Sequence, residues 1–309
     1  MASSANRSNW DALSTELESA IEQIGPSVVA VHGGRRLAAS GIHWRDGLIV
    51  TSDHMLRRSH ELTVTLAPGN SISAEWVGSD QSTDLALVKI NSSTKLSAVS
   101  ISATSSLKLG TVVLAVGRSH LGDLAASAGI IARLGAPWKT WRGGEIDQLI
   151  RPDITLYPGQ SGSALINSQG QVIGINTSAL ARGAAITLPA NSVNRVVDEL
   201  LQHGHIRKPY LGLAMQAVSL PDQLRRELKI DAVTGLLVAH MEASSPSAKA
   251  GVMLGDIVIG IENKSVSGLE TLHAVLSKLR PGDSARLTLI RGGEKKEITV
   301  SVADRTIPN

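Results

Sequence analysis

Tyr157-Pro158-Gly159-Gln160-Ser161-Gly162-Ser163-Ala164-Leu165 sets a serine between two glycines, just ahead of an apolar run. Glycine lacks the Cβ clash that bars left-handed backbone, so such a loop can turn its own amides inward around one hydroxyl. A serine hydroxyl is a weak nucleophile until a neighbouring imidazole takes its proton. Two other passages supply residues of the required kind. Leu48-Ile49-Val50-Thr51-Ser52-Asp53-His54 is a β-run that delivers a histidine at its end. Ser82-Thr83-Asp84-Leu85-Ala86-Leu87-Val88-Lys89-Ile90 opens an apolar strand with an aspartate. Singly, each has an ordinary explanation as turn chemistry or a surface side chain. Their order narrows the reading, because folds that carry a serine triad differ in the chain order of its members.

Around these passages, short β-rich runs are punctuated by Gly, Ser and Asp. Ser27–His32, Gly47–Thr51, Leu62–Leu66, Leu85–Ile90, Val112–Val116, Ser127–Leu134, Ala164–Ile166 and Val172–Ile175 all fit that description. Many short strands with scarcely a helix between them predict closed barrels or sandwiches. Ahead of them, Leu13, Leu17, Ile21 and Ile24 recur on one face of a helix that Gly25-Pro26 ends. Ser192–His203 reads as a second helix, with Val193, Val196, Val197, Leu200 and Leu201 on one side. A boundary follows at Gly204–Pro209. Beyond it strands are expected at Leu211–Ala214, Gly235–His240, Ile257–Ile261, Ala285–Ile290 and Lys296–Val302. Helices are expected there at Pro221–Leu228, Pro246–Ala250 and Leu269–Leu279. The organisation is thus a helical segment at 1–25, a β domain at 26–204 and a smaller α+β domain at 205–305.

Composition narrows the function classes. The net charge is +3 with no long Lys/Arg block, which gives no nucleic-acid footprint. With no cysteine there is no disulfide framework, thiolate nucleophile or cysteine metal site. His203 and His205 lack a third ligand in the pattern, so no metal and no cofactor are expected. No run reaches the roughly 18 apolar residues of a membrane span, and no apolar signal segment follows Met1. There is no Phe, so the cores must be built from Val, Ile, Leu and Ala.

Taken together, the three passages resemble the HtrA/Deg branch of trypsin-like serine proteases, and the resemblance runs over almost the whole chain. Leu109-Gly110-Thr111-Val112-Val113-Leu114-Ala115-Val116-Gly117 looks like the family's strand opening the second barrel, and Gln171-Val172-Ile173-Gly174-Ile175-Asn176-Thr177 like the strand lining its specificity pocket. Tyr210-Leu211-Gly212-Leu213 resembles the carboxylate-binding loop of PDZ domains. Ser245-Pro246-Ser247-Ala248-Lys249-Ala250-Gly251-Val252-Met253-Leu254-Gly255-Asp256 and Pro281-Gly282-Asp283 extend that likeness. The implied fold is mainly β: a trypsin-like double β-barrel followed by an α+β PDZ domain.

The resemblance implies an endopeptidase acting on unfolded or damaged proteins. His54 would be the base, Asp84 its orienter and Ser161 the nucleophile, with the Gly159 and Ser161 amides as oxyanion hole. Ser161 is preferred over Ser163 because Gly159-x-Ser161-Gly162 matches the family core. Thr155, Leu156, Ile175, Asn176 and Thr177 would form a pocket for small or medium aliphatic side chains. Tyr210, Leu211, Gly212 and Leu213 would take peptide C-termini by strand addition. The family likeness also implies homo-oligomers, trimers among them, and an extracytoplasmic, periplasmic setting, whereas the chain as written carries no export signal and leaves a cytoplasmic one open.

The sequence departs from the family at Asp53 before the histidine, Gln160 before the nucleophile and Ser163 after it. Ala136 stands where the family's sensor loop often has Arg, with Arg133 and Arg142 nearby. These departures keep an alternative in view: a protease-like protein that holds peptides without cutting them.

Overall fold

Strands buried on both faces read as unbroken apolar runs, and the first part of the chain is built from them. In Leu85–Ile90, Leu85 and Leu87 face one buried cluster while Ala86, Val88 and Ile90 face another. Leu48–Ser52 divides the same way, with Ile49 on the second cluster and Leu48 and Val50 on the first. That two-residue alternation separates a barrel interior from a layer shared with its neighbours.

The computed structural model describes residues 3–34, 38–56, 62–91, 96–181 and 184–305. The chain forms two compact units, Met1–Ile206 and Arg207–Asn309. In the first unit, Val28–His32, Ala39–Arg45, Leu48–Ser52, Leu85–Ile90, Asn70–Asp80 and Leu62–Ala67 pair in that spatial order and close into an antiparallel barrel. Leu149–Asp153, Ile186–Pro189, Val172–Thr177, Ala164–Ile166, Val112–Arg118 and Leu124–Gly135 close into a second. The interior of the second barrel holds Val113, Ile131, Ile150, Leu165 and Ile173. The architecture is therefore the expected double barrel of a mainly β protein.

Four of these strands carry weak sequence signals. Asn70–Asp80 is largely polar because much of it faces solvent. Ala39–Arg45 is interrupted by Gly41, where a Cβ would come 2.7 Å from Val31 Cγ2. Leu149–Asp153 and Ile186–Pro189 are short and contain Pro152 and Pro189, residues that argue against strands.

The helix Ser3–Ile24 lays Leu17, Ala20, Ile21 and Ile24 against the shared apolar layer. Leu13, expected on that face, is 38% exposed, so the contact begins one turn later. The helix Ala190–His203 buries Val193, Val196, Val197 and Leu200 in the same layer. Leu201 stands at the rim of that stripe and is exposed. Trp44, nearly fully buried, donates its indole N–H to Asn194 Oδ1 at 2.8 Å, and Arg45 Nη2 reaches the same oxygen at 2.9 Å.

The second unit is an α+β sheet. Leu213–Ser219, Thr234–Met241, Ile257–Ile261, Ser284–Arg291 and Glu294–Ser301 follow one another in space, and Lys264–Ser265 pairs beside Ile257–Ile261. The first strand begins at Leu213, two residues later than expected. Gly212, at φ +78°, breaks the extended run before it. Asp256, buried, accepts two bonds from Arg291, at 2.8 Å from Nε and 2.7 Å from Nη2. Burial pushes its carboxyl up. The Arg291 hydrogen bonds, the Met253 amide and the charges of Arg291 and Lys296 outweigh that and hold it below its ordinary value.

Candidate active site

Strand register brings the first two site residues together. Ser52 is paired with Leu85, so the residues just beyond them, Asp53–His54 and Asp84, meet at one end of the barrel. His54 stands on a single 3-10 turn, Asp53–Met55. Its Nδ1 lies 2.9 Å from Asp84 Oδ1 and 2.8 Å from Oδ2, and its backbone N–H donates to Oδ1 at 2.9 Å. Asp84 is buried and adopts φ +60°, a left-handed conformation that Asp tolerates better than most residues. Thr177 Oγ1 donates to Oδ2. A buried carboxylate needs such donors, and with Nδ1 on Asp84 the other ring nitrogen, Nε2, is the one left to accept a proton. Asp53 sends its own N–H to the Asp84 carbonyl at 3.2 Å, and the imidazole Nδ1 belongs to Asp84.

The serine loop is held from the first barrel. Ser40 N–H donates to Gly159 O at 2.7 Å and to Ser161 O at 3.1 Å, and Ser40 Oγ donates to Gly159 O at 3.1 Å. Both carbonyls are thereby drawn to Ser40. Among the described residues, the N–H groups of Gly159 and Ser161 meet no protein acceptor, as oxyanion donors require. Gly159 at φ +88° and Gly162 at φ +90° permit this path, and a Cβ on Gly162 would lie 2.0 Å from Ser40 O. Gln160 is buried and closes the turn from within. Its N–H donates to Tyr157 O at 2.9 Å, and its Oε1 accepts the Tyr157 N–H at 3.0 Å.

The two serines have different surroundings. Ser163 is fully buried and its Oγ accepts from Asn176 Nδ2 at 3.1 Å. Ser161 Oγ pairs with Ser178 Oγ at 3.1 Å and accepts the Ser178 N–H at 3.3 Å. Among the described residues, His54 is not one of its partners.

The other expected site residues fall in three groups. Ile175, Asn176 and Thr177 are fully buried, with side chains in the apolar layer, on Ser163 and Thr187, and on Asp84 respectively. Thr155 is exposed and Leu156 half-buried just before the serine loop. In the second unit, Tyr210, Leu211, Gly212 and Leu213 line a groove together with His240 and His273. Leu211 O and Gly212 O accept from Ser247 and Glu242 amides, which orients this loop. Tyr210's phenol is pushed up by its hydrogen bond to Glu242, by burial and by the Glu242 charge, while Arg305 acts the other way. Arg142 lies over the exposed Trp141 ring at 4.4 Å, and Arg133 is exposed on its strand. No group of three His, Asp or Glu side chains able to hold a metal occurs among the described residues, and no described helix is long and apolar enough to cross a membrane.

Ser40 and Ser178 carried no signal in the sequence. Ala38-Ala39-Ser40-Gly41 has no recognisable motif, and Ser178 merely follows a strand. Thr177 was expected in the pocket wall, and its role as donor to Asp84 carried no signal in the sequence.

Residues 39–175 match the trypsin-like peptidase domain and residues 209–302 the PDZ domain. The two closed barrels and these matches define a trypsin-like peptidase domain followed by a PDZ domain. The chain is 34% identical over 269 residues to the serine protease Do-like HtrA of Lactobacillus helveticus, covering 83% of this chain and 65% of that protein. It is 28% identical over 265 residues to the periplasmic pH-dependent serine endoprotease DegQ of Escherichia coli, covering 84% and 57%. A crystal structure of the serine endoprotease from Yersinia pestis superposes with a TM-score of 0.71 at 26% identity, covering 94% of this chain and 98% of that one. The chain belongs to the HtrA/Deg family of trypsin-like serine proteases. It spans 65% and 57% of the length of the two curated relatives.

Proposed function

We propose that this chain is a serine endopeptidase that hydrolyses peptide bonds in unfolded or damaged proteins, with a PDZ groove that selects exposed C-termini. The observation that carries the reading is the buried Asp84 carboxylate spanning His54 Nδ1 while accepting from Thr177, one residue before the partner of Ser161. Ser161 Oγ attacks the scissile carbonyl carbon as its proton passes to His54 Nε2. The oxyanion is met by the Gly159 and Ser161 amides, and His54 returns the proton to the leaving amine. A water then repeats the sequence on the acyl-enzyme. Thr155 and Leu156 bring no charge to the pocket, which favours small or medium aliphatic side chains.

In the second unit, a peptide adds beside Leu213–Ser219 with its carboxylate at the Tyr210–Leu213 loop. The family likeness extends the proposal to a homotrimer. The exposed Trp10 and Leu13 on the first helix support a contact between copies, which light scattering of wild type and Trp10→Ala checks.

A second reading, a peptide-holding protein that does not cut, is favoured by the Ser178 partnership of Ser161 Oγ. Casein incubated with wild type and Ser161→Ala separates the two. Fragments from wild type alone support the peptidase. No fragments from either protein, or equal fragments from both, sink it.

A further inference from the structure

Thr177 and Ser178 are consecutive, and they reach opposite members of the proposed triad. Thr177 Oγ1 bonds Asp84, while Ser178 bonds Ser161 through both its N–H and its hydroxyl. A serine hydroxyl has one proton and two lone pairs. The Ser178 N–H occupies one lone pair, and the hydroxyl contact uses the proton or the other. Attack requires that the Ser161 proton be handed to His54 Nε2 and that one lone pair face the carbonyl carbon, so the Ser178 hydroxyl, which takes the proton or the remaining lone pair, competes with the reactive arrangement.

We propose that Ser178 is a positioning residue that holds Ser161 Oγ in a resting rotamer and thereby sets the fraction of molecules ready to attack. The proposal rests on the peptidase reading of Ser161. The surroundings distinguish a restraint of this kind from a permanent structural bond. Ser163, two residues on, is fully buried with its hydroxyl fixed on Asn176. Ser178 is exposed, so water replaces Ser161 when the side chain swings away. The contacts, at 3.1 and 3.3 Å, are longer than the usual 2.7–2.8 Å of a hydroxyl–hydroxyl bond or the 2.9–3.0 Å of an amide donor. They are breakable at small cost. The Ser178 amide stays in any variant, so the hydroxyl is the adjustable half of the restraint. The net effect of one such neutral hydrogen bond corresponds to about a two- to tenfold change in population.

The test is the rate at which a fluorophosphonate labels the full chain. In that reaction the Ser161 Oγ–phosphorus bond forms, the phosphorus–fluorine bond breaks, fluoride leaves and the hydroxyl proton goes to His54. Ser178→Ala is expected to label about two- to tenfold faster than wild type. Ser178→Thr, which restores the hydroxyl, should label near the wild-type rate, and Ser161→Ala not at all. The pH midpoint of labelling should be the same in Ser178→Ala and wild type, because His54 and Asp84 are untouched. A merely structural role predicts a lower melting temperature and slower labelling instead. Wild-type labelling with Ser178→Ala equal or slower, or with a shifted pH midpoint, overturns the positioning role alone. If neither wild type nor Ser178→Ala labels, the peptidase reading falls and the positioning role falls with it.

Discussion

Asn176 Nδ2 donates to Ser163 Oγ at 3.1 Å in a site closed to solvent, so one of the two serines in Ser161-Gly162-Ser163 is built into the barrel wall. Asn176 in turn accepts from Thr187 Oγ1 at 2.7 Å, and its N–H bonds Ser163 O at 2.9 Å. Ser163→Ala leaves the Asn176 amide unpaired in the interior. The expected cost is about 1–3 kcal/mol of stability, read by urea unfolding, with casein cleavage retained. Ser161→Ala should show the opposite pattern, near wild-type stability and no cleavage. Loss of cleavage in a folded Ser163→Ala protein would reverse the assignment of the nucleophile.

Thr177 connects the second barrel to the His54–Asp84 pair of the first. Thr177→Val keeps the shape and removes the donor to Asp84 Oδ2. A hydrogen bond to a charged group contributes about 1.5–3 kcal/mol, so kcat should fall by about ten- to a hundredfold. KM should hardly move, because the Thr177 side chain is fully buried with its hydroxyl on Asp84. Steady-state kinetics on an internally quenched peptide would show it, and a change confined to KM would count against the role.

The Asp256–Arg291 pair makes the second unit sensitive to acid. The folded Asp256 carboxyl is held below its ordinary value, so the unfolded chain takes up the proton first as pH falls. The contribution is intact above about pH 4 and disappears as pH drops through the folded value. Calorimetry of the full chain should show the transition of this unit moving to lower temperature below pH 4. Arg291→Met, which strands a buried carboxylate, should cost about 3 kcal/mol at pH 7 and raise the pH at which the loss begins.

His32 acts in a different pH window. Burial pushes its imidazole down, and the nearby charge of His120 pushes the same way. On acidification the unfolded chain therefore protonates at this residue before the folded one. The stability contribution is complete above about pH 6.5 and is lost as pH falls toward the folded value. Melting of the first unit should drop between pH 7 and pH 5, and His32→Gln should reduce that drop. An unchanged slope in the variant assigns the acid sensitivity to other groups.

Much of the fold was legible because both faces of the barrel strands are buried. Leu48–Ser52, Leu85–Ile90 and Val172–Thr177 announce themselves as apolar runs whatever they pair with. Ala39–Arg45 and Asn70–Asp80 did not, since a glycine at a close strand approach and a solvent-facing polar strand leave no periodic apolar signal. Within the site, His54, Asp84 and Ser161 were readable from local context and order. Asn176 and Thr177 were expected in the pocket wall, and their bonds to Ser163, Thr187 and Asp84 left no trace in the chain, because nothing in a linear pattern says which way a fully buried polar side chain is satisfied.

The family resemblance supplied the double barrel; by itself the sequence determined a barrel or sandwich of short strands, the order His54, Asp84, Ser161 and the glycines around the serine. These follow from side-chain periodicity and backbone freedom, which are local properties. Only the tertiary structure decided how the serine loop is held and what its hydroxyl meets. The bond from Ser40 Oγ to Gly159 O joins residues 119 positions apart, and the contact between Ser178 and Ser161 forms only after the strand Val172–Thr177 has been laid beside Ala164–Ile166. Hydrogen bonds between distant segments depend on how barrels close and pair, and single serines in otherwise ordinary stretches carry no trace of that in the chain.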